Sequence, residues 1–107
     1  MNREIDRIKE RVSGPPGFQY ALKATRNGAY PNVNGGTTIL NVDDVWKYGE
    51  TTKGEGRYTK DFYNAMGLQM VPQFYGNQME IKIQEKIMIY GYFMGNGSLP
   101  PGNSIFR

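Results

Sequence analysis

Val45-Trp46-Lys47-Tyr48-Gly49-Glu50-Thr51-Thr52 runs directly into Gly54-Glu55-Gly56-Arg57-Tyr58. An apolar and aromatic run meeting a Gly/Thr loop reads as a short strand entering a turn. The chain before it offers a partner. Thr37 to Val42 forms a strand, Asp43-Asp44 a turn and residues 45–49 the returning strand, which together predict a hairpin. Beyond the loop, Arg57 to Met66 predicts a short helix with Tyr58, Phe62, Ala65 and Met66 on its apolar side and Gly67 as the stop. A strand of this kind holds Lys47 and Tyr48 in place, while the loop brings backbone and Thr hydroxyls toward an anion. The Arg57 guanidinium can then grip that anion with two hydrogen bonds, and phosphate is the natural candidate. A surface hairpin with incidental charges would carry the same residues.

The rest of the chain is cut into short segments by Gly and Pro. Residues 2–12 predict a surface helix on Ile5, Ile8 and Val12, ended by Ser13-Gly14-Pro15-Pro16-Gly17. Phe18 to Thr25 alternates as a strand, with Phe18, Tyr20, Leu22 and Ala24 on one face. Arg26 to Gly36 predicts a long polar loop. Leu68 to Tyr75 is extended, and Pro72 makes it an edge strand or an irregular run. Gln78 to Met94 starts with a strand-like alternation, but its length and its Met, Glu, Lys and Gln content predict a largely buried helix. Ser98 to Asn103 is an extended tail. The expectation is one α+β domain, a small antiparallel three-stranded sheet flanked by helices.

Composition then limits the chemistry. A chain of 107 residues with 38% hydrophobic residues can bury one modest core. It has no Cys and no His. Disulfides, thiolate catalysis, a Ser-His-Asp triad and most zinc sites are thereby excluded. Catalysis would have to use carboxylates, Lys, Tyr, Arg or a hard metal ion. A net charge of +3 permits a nucleic-acid partner without demanding one. No apolar run reaches the ~18 residues of a membrane span.

Glu85 is the most informative acidic residue. Helical spacing surrounds it with Ile81, Met88, Ile89 and Tyr92, and a carboxylate among apolar neighbours needs a partner. That partner is either a Lys or Arg from another element or a divalent ion such as Mg²⁺, which uses one or two carboxylates and keeps waters for phosphate. Arg57, at the start of its predicted helix, opposes the helix dipole, which favours a functional role for it. Lys47 is expected to face away from Trp46 and Tyr48.

Lys47-Tyr48-Gly49-x-Thr51, Arg57 ahead of a helix, Glu85 on a later helix and Asn103 near the end follow the order of a known family. The chain resembles the GIY-YIG nuclease superfamily, in the branch whose second signature is K-x-G-x-T. Asp44-Val45-Trp46-Lys47-Tyr48-Gly49-Glu50-Thr51, with Leu99-Pro100-Pro101-Gly102-Asn103-Ser104-Ile105-Phe106-Arg107, is similar to the C-terminal toxin domain of Rhs-type polymorphic toxins. The resemblance implies a GIY-YIG-like fold and a metal-dependent endonuclease toxin, with DNA favoured over RNA. It would be a secreted effector acting in the cytoplasm of a target bacterium, carried on a longer Rhs-type chain and neutralised by a cognate immunity protein. Arg57 would steady the scissile phosphate, Glu85 would bind one Mg²⁺ or another divalent ion, and Asn103 would match the site's Asn. Lys47, Tyr58, Thr51 and Lys60 complete the expected catalytic and nucleic-acid contacts. The first signature's Tyr should fall on the strand 37–42, where its counterpart is Ile39, which has no acid–base chemistry; Tyr58, Tyr63 or Tyr20 could take its place. A nucleic-acid- or protein-binding module on the same scaffold, with catalysis lost at Ile39, is the alternative; a metal-independent ribonuclease is a third.

Overall fold

β1 (Pro16–Ala24) is the centre of the molecule. The structure, a computed structural model, describes residues 16–103, so the helix expected over 2–12 lies outside the described residues, as do Ser104 to Arg107. Phe18, Tyr20, Leu22 and Ala24 face one core as the alternation predicts. Gln19 and Ala21, on the other face, are equally buried, so the sheet is covered on both sides. β1 pairs antiparallel with β4 (Val45–Thr51) and with β5 (Leu68–Asn77), giving the order β4-β1-β5. Among the described residues two helices flank a small three-stranded antiparallel sheet, so the fold is α+β.

β1 and β4 are expected strands, but residues 37–42 are not their neighbour. β3 (Thr37–Leu40) pairs with β2 (Gly28–Pro31), which lies in what the sequence predicted as loop, in a separate two-stranded ribbon. The hairpin between residues 37–42 and 45–49 does not form. The Asp43-Asp44 turn is real, but it docks on the end of β1. Ala24 N–H donates to Asp44 O at 2.9 Å, and Asp43 N–H donates to Ala24 O at 2.8 Å. Asp43 takes a positive φ of 74° to do so, and Asn41 N–H is held by Asp44 Oδ2. The chain leaving this turn is thus laid along β1 instead of folding back on β3. Trp46 Nε1 donates to Pro31 O at 2.9 Å and fastens the ribbon to the sheet.

β4 carries a bulge. Leu22 pairs with Lys47, yet Lys23 pairs with Val45, so Trp46 is the extra residue. Trp46 therefore packs with Tyr20 and Leu22, while Tyr48 joins Ala21 and Ile89 on the opposite face. The expected grouping of Trp46 and Tyr48 against Lys47 is corrected by that extra residue.

Arg57 does not open a helix. It ends a 3-10 turn (Gly54–Arg57), and α1 (Lys60–Met66) starts after Thr59, whose hydroxyl caps Phe62 N–H at 3.1 Å. Arg57 at a C-terminal turn offends no dipole, so that part of the case for it falls. Gly67 ends α1 with φ 69°, as expected. β5 is an edge strand that contains Pro72, also as expected.

α2 (Gln78–Asn96) starts with a reciprocal cap between Asn77 and Glu80. Ile81, Glu85 and Ile89 form its buried stripe. The helix is not largely buried, however. Its outer face leaves Met79, Ile83, Ile87, Tyr90 and Met94 exposed, from 48% at Met79 to 69% at Met94. The tail is not free either. Gly102 N–H donates to Trp46 O at 2.6 Å, and Val33 N–H donates to Pro101 O at 2.9 Å. Residues 99–103 therefore lie along the edge of β4 that β1 leaves open. Among the described residues no helix is long and apolar enough to cross a membrane.

Candidate active site

The tail, β4, the 3-10 turn and the buried stripe of α2 enclose a polar cavity of about 100 Å³. Its walls are Tyr20, Lys47, Tyr48, Gly49, Glu50, Arg57, Glu85, Gly102 and Asn103. Lys47, Arg57, Glu85 and Asn103, named from distant parts of the sequence, thus meet in one place. Tyr58 adjoins them through a hydrogen bond to Tyr20.

Gly49 makes the arrangement possible. Tyr20 pairs directly with Gly49, and a Cβ there would collide with the Tyr20 hydroxyl. The missing side chain lets the Tyr20 ring lie across β4 and carry its hydroxyl to the pocket. The Tyr20 Oη to Tyr58 Oη distance is 2.7 Å, with the two rings edge to face. Lys47 Nζ donates toward Tyr58 Oη at 3.5 Å. The Arg57 guanidinium sits 5.7 Å from the Tyr58 ring centroid and remains exposed. Phe62 stacks on Tyr58 with a 4.7 Å centroid separation, which fixes the ring.

The two hydroxyls are driven apart in acidity. Burial pushes Tyr20 far above the ordinary phenol range, and its bond to Tyr58 adds to this. Burial also opposes ionisation of Tyr58, but the Tyr20 hydroxyl, the Lys47 ammonium and the Arg57 guanidinium together outweigh it. Tyr58 is left below the ordinary value. Arg57 is held more firmly charged, chiefly by its interaction with Tyr58. A pair with opposed shifts of this kind divides into a donor, Tyr20, and a proton acceptor, Tyr58.

Other expected site residues play different parts. Asn103 lines the pocket, but both ends of its amide are engaged. Oδ1 accepts from Tyr48 N–H and Nδ2 donates to Tyr48 O, each at 2.9 Å. It holds β4 in register and acts on the site through the strand. Thr51 is 2% exposed, and its hydroxyl accepts from Lys53 N–H, so it shapes the loop and does not line the pocket. Lys60 borders a neighbouring cavity. Ile39 is corrected outright. It lies on β3, 70% exposed and outside the main sheet, so it is not opposite Lys47-Tyr48-Gly49. The strand opposite is β1, and the tyrosine it presents is Tyr20. Glu50 is a pocket wall that the sequence did not single out. Gly49 inside a strand was the available signal for Tyr20, since a glycine there marks close approach of another group.

Among the described residues no cluster of three or more acidic, His or Cys side chains exists. The donor set nevertheless suits a hard cation. Glu85 is 9% exposed at the wall of a polar cavity that Glu50 also lines. One or two carboxylates plus water and phosphate oxygens is how Mg²⁺ is usually held. No protein-family model, curated protein or solved structure matches the chain.

Proposed function

We propose that this chain is a metal-dependent endonuclease of the GIY-YIG type that hydrolyses nucleic-acid phosphodiesters, with DNA favoured. The observation that carries the reading is the Tyr20–Tyr58 hydroxyl pair, set between Lys47 and Arg57 in the pocket that Glu85 closes. A divalent ion on Glu85 would supply electrophilic stabilisation of charge on the phosphate. The chain's own groups account for the remainder. Arg57 grips two phosphate oxygens at the open side of the pocket. Lys47 adds a second positive charge and favours ionisation of Tyr58. In its ionised form Tyr58 takes a proton from the attacking water, whose oxygen forms the new bond to phosphorus as the bond to the leaving oxygen breaks and that oxygen takes a proton from solvent. Tyr20 stays protonated and donates to Tyr58, holding the acceptor oxygen in position. Asn103 keeps β4, and hence Lys47, in register.

The non-catalytic alternative was argued from Ile39, which lies outside the main sheet, while β1 presents the Tyr20 hydroxyl to the pocket. The toxin role rests on the resemblance of the Asp44–Thr51 block and of the LPPGN segment. It includes delivery on a longer Rhs-type chain into a target bacterium's cytoplasm and a cognate immunity protein.

Supercoiled plasmid incubated with the protein and Mg²⁺ should be nicked, and chelator should stop the reaction. Arg57→Ala and Glu85→Gln should each reduce the rate by at least about a hundredfold, the scale of losing one transition-state contact. Wild-type rates in both variants would refute the assignment.

A further inference from the structure

A second cavity, of about 530 Å³, opens beside the first and is lined by Gly56, Tyr58, Lys60, Tyr63, Gln69 and Met70 among others. Its volume is that of a small-molecule site. Two tyrosines and a methionine give it soft, flat, apolar walls. Lys60 and Gln69 are exposed at its border and supply a cation and an amide with both a donor and acceptor. Gly56 adds no side chain to it, and a Cβ there would meet nothing within 4 Å. The two cavities share a wall: the Tyr58 ring lines the second, while its hydroxyl bonds to Tyr20 of the first. Arg57 and Tyr58, with Cα atoms ~3.8 Å apart, thus serve adjacent cavities.

We propose that this second cavity takes an unpaired nucleobase, so that the substrate is a single-stranded or locally melted nucleic acid. The inference rests on the nuclease reading of the first pocket and extends it. A flat heteroaromatic ring can stack on Tyr63, with Tyr58, one face of which Phe62 covers, bordering it; stacking on an aromatic side chain accepts any base. Gln69 can meet the donors and acceptors on a base edge. Lys60 complements the phosphate on the far side of the sugar. A base within a duplex keeps both faces covered by its neighbours, so only an extruded or unpaired base can enter. One nucleotide then bridges the site, with its phosphate at Arg57 and its base beyond Tyr58.

The test is binding of the full chain, in chelator, to short single strands of DNA and RNA and to duplexes of the same sequence. The single strands should bind about tenfold more tightly than the duplexes, and an abasic residue at one position should remove that gain. A 2-aminopurine at that position should lose fluorescence on binding. Gln69→Trp, which fills the cavity from an exposed position, should abolish the quenching while leaving binding of the abasic strand in place. Comparison of the DNA and RNA arms identifies which strand is the source. Equal binding of single strands and duplexes, or unaltered quenching in Gln69→Trp, would overturn the base site and leave the nuclease reading standing. Failure to bind any nucleic acid, together with no nicking of plasmid in Mg²⁺, would overturn the nuclease reading itself.

Discussion

Tyr58 is the residue on which the proposed chemistry turns, and its ionisation is directly observable. Its pKa lies below the ordinary 10.0, and that of Tyr20 lies above it. The pair therefore gives up its first proton at Tyr58 and resists losing a second. Tyrosinate absorbance should begin to rise below pH 10, and Tyr58→Phe should remove that early step. Stability follows the same signs. Tyr58 contributes stability that is present above pH 10 and lost as pH falls through its lowered native value. Tyr20 contributes stability that is intact below pH 10 and lost as pH rises toward its raised native value. Thermal denaturation across alkaline pH should accordingly show a steeper loss above pH 10 in wild type than in Tyr20→Phe. Glu85 stood out in the chain as a carboxylate among apolar neighbours, whereas Lys47 and Arg57 were picked out by the order of the signature, the dipole argument for Arg57 having failed. Tyr20 was one of three candidate hydroxyls, and the same alternation that placed it in a strand also made it look like ordinary core. Only the pairing with Gly49 separates the two roles.

Elements were legible where local chemistry decides them and misassigned where pairing does. Gly67 marked a helix end by a rule that operates within a few residues, and the Asn77/Glu80 cap that the structure shows is of the same local kind. The partner of β4 was fixed by a different kind of contact, the Asp43-Asp44 turn bonding to Ala24 across the sheet. Hydrophobic alternation carries no record of which strand lies alongside. The bulge at Trp46 added a second error by breaking the two-residue period. Two substitutions test these devices. Asn77→Ala removes the side-chain cap of α2 and should cost about 1 kcal/mol, seen as a fall in Tm of roughly 4–8 °C. Gly49→Ala puts a methyl group against the Tyr20 hydroxyl. It should cost about 1–3 kcal/mol as overpacking, and it should lower cleavage further than the stability loss explains, because Tyr20 must move away from Tyr58.

At the scale of the molecule, the two edges of the sheet are treated differently. The outer edge of β4 is covered by residues 99–103, whereas β5 pairs, among the described residues, only with β1. A chain stopped before Leu99 would lose the Asn103 bonds to Tyr48, the Gly102 bond to Trp46 and one wall of the pocket. It should show a lower Tm, self-associate through the exposed β4 edge in light scattering, and fail to nick plasmid. The α+β class was legible because strand and helix patterns are distinct along the chain. The docking of the tail was not, since Ser98 to Asn103 read as a plain extended tail, and Gly102 becomes wall only against Trp46 and Lys47.

That docking has a consequence in time. A ribosome makes Tyr20, Lys47, Arg57 and Glu85 first, and the segment that locks β4 in place comes later than all of them. A growing chain thus holds every reactive side chain of the pocket before it holds the clamp that aligns them. For a proposed nuclease, cleavage should begin only after elongation has passed residue 103.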